Sequence, residues 1–380
     1  SEIVQRVAMG ESSYVGPEMQ GHFKLNSLFG SAPTRKAIAD GRADFTPCFI
    51  CEIPGLFLTG KIPLDVAMIT VTPPDSHGYC SLGISIDYTI QAARAAKMVI
   101  AQVNPEMPRT YGDTLLHVSE IDYFVPAEEP LIVLDPPVIG PVEKQIGMNV
   151  ASLIDDGSTL QLGIGSIPDA ILSFLHEKHD LGVHTELFSD GVRGLVEAGV
   201  INGKKKTLHP GKVVANFVMG TPKLYNWVHN NPAIYLYPED YVNDPFVVAR
   251  NYRMIAINSA LEVDVLGQVA ADMLGPRQFS GVGGQVDFIR GAARSPGGKA
   301  IIAFPATAMK GKASRIVSVL TRGAAVTTSR HDVEYVVTEY GIASLKAKTV
   351  KERIEALISI AHPDFRAEIR KDAYRTYFML

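Results

Sequence analysis

Glu186 is the side chain in this sequence best placed to do chemistry, because of what precedes it. The segment TLQLGIGSIPDAILSFL occupies residues 159–175 and VHTELFSDG occupies 183–191. In the first, an apolar run from Thr159 to Leu162 enters Gly163, Ile164, Gly165 and Ser166, and a helical pattern opens at Ile167 and Pro168. Glycines at a strand-to-helix turn let the backbone approach a ligand, and the free N–H groups of a helix start favour an anion such as a phosphate. In the second segment Glu186 stands where the next strand should end. Side chains at that position point into the crevice where open α/β sheets hold ligands. A carboxylate beside an anion site is electrostatically unwelcome unless it has chemical work to do, as a nucleophile for example. Two plainer readings compete. A bare G-x-G is short and common and also builds tight turns without a ligand, and a strand-end glutamate is usually just solvated.

The elements around these residues are legible from their pattern. Pro168 suits a first helical turn, where its missing N–H costs nothing. Ser166 is the expected N-cap, and Asp169 adds negative charge near the positive helix end. Ala170, Ile171, Phe174 and Leu175 form an apolar face at helical spacing, and Gly182 is expected to close the helix. Earlier in the chain, strands are expected at Val66–Val71 and Met98–Val103, with a helical stretch at Tyr88–Lys97. Prolines 126, 130, 136, 137 and 141 mark a connection, and a helix follows over Val142–Ile154. The expected division is therefore an α/β domain over 1–140 and a second over 141–380. DVAMITVTPPDSHGYCSLG (65–83) and MIAINSALEVDVLGQVAADMLG (254–275) share a strand followed by Asp and Gly, a pattern-level repeat. It suggests two related open-sheet α/β domains with parallel strands and a site in the cleft between them.

Composition sets limits. With 380 residues, 46% hydrophobic and 20% charged, the chain can bury substantial cores, and a formal charge of −4 offers no electrostatic case for nucleic acid. No apolar run approaches the roughly eighteen residues of a membrane span, and no signal peptide opens at Ser1, so a cytoplasmic protein is expected. Cys48 and Cys51 form a C-x-x-C, but a four-ligand zinc site lacks its second pair, and Pro54 argues against the helix start that thioredoxin-like chemistry needs. These cysteines and Cys80 read as structural thiols. Asp75 and His77 lie in a turn built by Pro73, Pro74 and Gly78. Glu262 and Asp264 share a strand face, and structural roles suit them better than acid–base work. Lys204, Lys205 and Lys206 read as a solvated run, and His184 as a core histidine. No metal-binding cluster emerges.

GIGSIPDAI and TELFSDG are followed by INSALEVDVLGQVAADMLG (257–275), GVGGQVDF (281–288), AFPATAMKGKASRIV (303–317) and VEYVVTEYGIA (333–343). In this order the segments resemble the acetyl-CoA hydrolase/transferase group of family I coenzyme A transferases, especially its 4-hydroxybutyrate and butyrate branch, over nearly the whole chain. The resemblance implies an enzyme that moves coenzyme A between a short-chain acyl-CoA and a free carboxylate, with CoA as substrate and no metal or other cofactor. It implies that Glu186 carries CoA as a thioester and that Gly163, Ile164, Gly165, Ser166 and Ile167 bind CoA. It further implies that Gly283 or Gly284 approaches the acyl group and that Lys310 contacts CoA. A homodimer or tetramer is the family expectation, as is a further segment before Ser1. An acyl-CoA hydrolase on the same fold and a non-catalytic module binding a phosphorylated metabolite are the competing functions. A nucleotide-dependent dehydrogenase fits less well, because G-I-G-S-I-P lacks the third glycine of the dinucleotide fingerprint.

Overall fold

Alternation along the strands of the second half decides the architecture. In the computed structural model, which describes residues 1–378, Ile255 and Ile257 of the strand Met254–Asn258 join one core while Met254 and Ala256 join another. The strand Lys299–Ala303 does the same, with Ile301 and Ala303 on one side and Ala300 and Ile302 on the other. Strands apolar on both faces belong in a parallel sheet covered by helices on both sides.

That sheet has nine strands. Across it the order is Gly341–Ser344, Tyr335–Thr338, Lys299–Ala303, Met254–Asn258, Thr159–Gln161, Gly182–His184, Val213–Ala215, Ile234–Leu236 and Tyr111–Gly112. All neighbours run parallel except the closing hairpin of Tyr335–Thr338 with Gly341–Ser344. One face is covered by the helices Pro141–Ala151 and Ser166–Ser173, whose Ile146, Val150 and Ile171 pack with Leu160, Val183 and Ile255. The other carries Gln285–Arg294 and Val350–Ser359, whose Phe288, Ile289, Ile354 and Leu357 pack with Ala256 and Ile302.

Strand order places the site. From Thr159–Gln161 the chain steps outward through Gly182–His184 to Ile234–Leu236, then returns to add Met254–Asn258 on the opposite side. The order therefore reverses between Thr159–Gln161 and Met254–Asn258, and the carboxyl ends of strands at such a reversal leave a crevice.

The first half forms two smaller parallel sheets, Glu2–Gln5 with Lys24–Ser27 and Asp44–Phe45, and Val66–Val71 with Met98–Val103 and Tyr123–Pro126. The open-sheet α/β class expected from the sequence is thus present. Val66–Val71 and Met98–Val103 have their expected bounds, and the two expected helices are Thr89–Ala95 and Pro141–Ala151. Pro54 does not block a helix: Ile53–Leu58 starts beside the C-x-x-C with Pro54 in its first turn, where proline is favoured.

Candidate active site

Backbone bonds at the reversal point hold the segment around Glu186. Thr185 Oγ1 donates to the Leu162 carbonyl at 2.9 Å, tying the end of Gly182–His184 to the turn that leaves Thr159–Gln161. The strand ends at His184, two residues before the expected end at Glu186, which lies between Gly182–His184 and the short strand Leu187–Phe188. Its carbonyl accepts from the amides of Asn216 and Phe217 at 3.0 and 3.2 Å. With its backbone so fixed, the side chain leaves the sheet in one direction.

The carboxylate meets a buried arginine from the other end of the chain. Arg6, 4% exposed, directs Nη2 at Glu186 Oε1, while its Nη1 donates to Glu239 Oε2 at 3.0 Å and Asp87 Oδ2 at 3.4 Å. Burial works against the Arg6 charge, but Glu239, Glu186 and Asp87 outweigh it and raise its pKa above the ordinary arginine value. Glu239 is wholly buried, and that burial pushes its carboxyl well above the usual range despite Arg6. On the other side of Glu186, Asn216 Nδ2 donates to Asn243 Oδ1 at 2.9 Å and Asn243 Nδ2 reaches Glu186 Oε2 at 3.4 Å. The Glu186 side chain retains 16% exposure, so it is held on two sides and open on a third.

The glycine loop ahead of helix Gln285–Arg294 closes over this carboxylate. A Cβ on Gly284 would stand 2.3 Å from Glu186 Oε2 and 2.7 Å from Asn243 Nδ2, so only glycine leaves the carboxylate its position. Gly283 takes a left-handed φ of +59°, which glycine adopts freely. Among the described residues the amides of Gly283 and Gly284 donate to no backbone carbonyl, and they stand at a helix N-terminus. Donors so placed suit a developing oxyanion. A cavity of about 410 Å³ has Phe217, whose amide donates to the Glu186 carbonyl, in its wall; Met9, Leu82, Ile84 and Met219 line it together with the polar Gln102, Asn104 and Glu129.

Sequence-expected residues fall into three groups. Glu186, Gly283 and Gly284 come together. Gly163, Ile164, Gly165, Ser166 and Ile167 line the neighbouring turn, linked through the Thr185–Leu162 bond; a Cβ on Gly163 or Gly165 would meet nothing within 4 Å. The helix begins at Ser166, one residue earlier than expected, with Gly165 at φ +116° in the cap position, and it ends at Ser173, so that Gly182 opens the next strand rather than closing the helix. Lys310 is apart from these contacts, exposed in the turn of the hairpin Thr307–Ala308 with Ala313–Ser314, at φ +57°.

The bland readings mostly hold. His184 is fully buried and bonded to the Val242 carbonyl, and burial pushes its pKa down to about 3. Asp75 accepts from the amides of His77 and Tyr79 within its turn, and Glu262 accepts from Thr321. Cys51 donates Sγ–H to Asp287 Oδ1 at 3.3 Å, and burial pushes the Cys48 thiol up to about 12, so neither offers a ready thiolate. Lys206 is the exception to its solvated run. It is 4% exposed, with Nζ donating to the carbonyls of Val183 and Lys212, and burial lowers its pKa to about 7. Three successive lysines gave no sign that one turns inward, because one carbonyl that captures it belongs to the strand Gly182–His184, more than twenty residues earlier.

Arg6, Asp87, Asn216, Glu239 and Asn243 escaped sequence reasoning. None belongs to a recognisable motif, and only the fold brings them to Glu186. Among the described residues no group of His, Cys, Asp or Glu is arranged to hold a metal ion, and no helix is long and apolar enough to cross a membrane.

Comparison with known proteins places the chain in a family. The acetyl-CoA hydrolase/transferase N-terminal domain model matches residues 3–135, and the C-terminal domain model of the same name matches 220–373. The 4-hydroxybutyrate coenzyme A transferase of Clostridium kluyveri is 59% identical over 371 residues, 98% of this chain and 86% of that relative. The crystal structure of a 4-hydroxybutyrate CoA-transferase from Porphyromonas gingivalis superposes with a TM-score of 0.83 at 44% identity, covering 99% of this chain and 94% of that one. RipA from Yersinia pestis superposes at 0.93 with 36% identity, covering 99% and 87%. The fold is thus that of the CoA-transferases, and the chain is an acyl-CoA:carboxylate CoA-transferase. The chain belongs to the acetyl-CoA hydrolase/transferase family.

Proposed function

We propose that this protein transfers coenzyme A between a short-chain acyl-CoA and a free carboxylate by a ping-pong mechanism, through a CoA thioester on Glu186. One observation carries the reading: a carboxylate at the sheet's reversal point, gripped by Arg6 and Asn243, fills the space that only a glycine at 284 leaves open.

The reaction asks for what this arrangement supplies. Transfer must conserve the thioester's energy, so the enzyme itself must hold CoA while the carboxylates exchange. Glu186 Oε attacks the acyl carbonyl, the C–S bond breaks, and CoA leaves as thiolate from a mixed anhydride. The thiolate then attacks Glu186 Cδ and expels the first acid as its carboxylate. A second carboxylate reverses both steps. Each tetrahedral stage develops an oxyanion, for which the amides of Gly283 and Gly284 at the helix start are the proposed donors. The Gly163–Ile167 turn takes the CoA, its open glycine faces admitting close approach and its helix start favouring phosphate. Lys310 adds a cation towards CoA from the hairpin turn. The cavity lined by Met9, Leu82 and Phe217 gives apolar room for a short acyl chain, in keeping with acetyl, butyryl or 4-hydroxybutyryl groups. Two domains meeting near residue 140, a homo-oligomer and a cytoplasmic setting complete the reading.

Incubation with butyryl-CoA in the absence of an acceptor tests it, with intact mass and the peptide carrying Glu186 as readouts. The expected result is a CoA adduct on Glu186 that acetate discharges and that Glu186→Gln abolishes. Steady CoA release without an adduct would instead indicate hydrolysis, and neither adduct nor release would indicate a binding module.

A further inference from the structure

We propose that Arg6 is the positioning residue of the Glu186 carboxylate, fastened from behind by Asp87 and Glu239 so that its guanidinium stays in place when Glu186 becomes covalently occupied. The inference rests on the reading of Glu186 as nucleophile.

Charge balance during the reaction motivates it. As Glu186 Oε bonds the acyl carbon, the C–S bond breaks and negative charge moves to the CoA thiolate. When the thiolate bonds Glu186 Cδ, the Cδ–O bond breaks and the charge departs on the released acid. Glu186 is then a neutral thioester. An arginine whose sole partner were Glu186 would be left as an unpaired buried cation, a strongly disfavoured state that would pull the side chain or solvent out of place. Arg6 is not in that position, because its Nη1 donates to Glu239 at 3.0 Å and Asp87 at 3.4 Å. The two anchors are also tied together, with the Glu239 amide donating to the Asp87 carbonyl at 3.0 Å. Asp87 is further fixed by Ser85 Oγ at 3.1 Å and Thr89 Oγ1 at 2.7 Å. None of these bonds involves Glu186, so none is lost as the thioester forms. A planar guanidinium with five donors can serve three carboxylates at once, which a lysine ammonium on a flexible stem cannot do in the same geometry. The arrangement also joins the two halves of the chain, since Arg6 and Asp87 come from the first and Glu186 and Glu239 from the second.

The test measures adduct formation from butyryl-CoA under single-turnover conditions, as a rate and a half-saturating concentration, in the wild type, Arg6→Lys, Arg6→Ala and Asp87→Asn. Arg6→Lys keeps a cation among the carboxylates, and Asp87→Asn is an isosteric change in a residue that does not touch Glu186; circular dichroism checks both for native structure. A carboxylate displaced by about 1 Å loses about 100-fold in rate, so Arg6→Ala is expected to fall by about that factor and the other two by about tenfold. Half-saturation should change little, and added guanidinium ion should restore part of the Arg6→Ala rate. Wild-type rates in both Arg6→Lys and Asp87→Asn, or losses confined to half-saturation, would overturn the inference while leaving Glu186 as nucleophile intact. A wild-type protein that forms no adduct would remove the reading on which it rests.

Discussion

Replacing Gly284 by alanine tests the geometry of Glu186, the proposed nucleophile, with a small crowding of the buried Phe288, whose Cδ2 would stand 3.1 Å from the new Cβ. Gly284 has φ −82° and ψ 3°, a conformation alanine adopts, so the substitution brings no backbone strain. Its Cβ, however, would lie 2.3 Å from Glu186 Oε2, and real Cβ contacts essentially never fall under 3.0 Å. The carboxylate or the helix start must therefore retreat by at least 3.0 − 2.3 = 0.7 Å. Retreat towards Asn243 is blocked, since its Nδ2 would stand only 2.7 Å from the same Cβ, and Arg6 is held by Asp87 and Glu239. A reacting group misplaced by about 1 Å can lose about 100-fold in rate, about 2.7 kcal/mol of barrier. Stopped reactions with butyryl-CoA, quenched and weighed for the Glu186 adduct, are expected to show that loss in Gly284→Ala with the thermal midpoint within a few degrees of wild type. Gly163→Ala is the control, because its Cβ would meet nothing within 4 Å. It should spare the fold and, where CoA approaches that turn, raise KM without a comparable fall in the rate of adduct formation. Wild-type adduct kinetics in Gly284→Ala would refute the argument that Glu186 acts from the position described.

Two other predictions follow from the same contacts. Burial raises the Asp287 carboxyl to about 7 even though the amide and thiol of Cys51 donate to it. A folded-state pKa raised above the unfolded value means that the folded protein binds the extra proton, so this group's stabilisation is present below about pH 4 and is lost as pH rises towards 7. Denaturant unfolding at pH 5 and 7.5 is expected to show that decline, and Asp287→Asn, which cannot titrate, should flatten it; an unchanged slope would contradict the assignment. Lys310 is exposed in its hairpin turn and makes none of the contacts that hold Glu186. Lys310→Ala should raise KM for the acyl-CoA a few-fold while leaving kcat nearly unchanged, and a fall in kcat alone would argue against a role in holding CoA.

Local physics made much of the molecule legible before any coordinates. The unit at 159–191 could be read because glycine, proline and apolar spacing act through neighbours in the chain, and the helix start moved by a single residue. Val66–Val71 and Met98–Val103 emerged from their apolar runs for the same reason. Glu186 stood out as a candidate by its place after a strand, and Gly283 and Gly284 through the resemblance of GVGGQVDF to a known loop; the structure brings Gly284 against that carboxylate. Lys206 could not be read, since the carbonyls of Val183 and Lys212 that accept its ammonium become neighbours only when the sheet assembles. Arg6 was equally silent: one arginine in EIVQRVAMG carries no pattern, and its meaning comes from carboxylates at positions 87, 186 and 239. The sequence by itself determined the strand-and-helix alternation, the glycine turns and which carboxylate could be a nucleophile, because those depend on short-range backbone preference and side-chain type. Only the tertiary structure decided what that carboxylate faces and what holds it, because electrostatic partners in a buried site are chosen by distance in space, and parallel strand pairing brings together residues far apart along the chain.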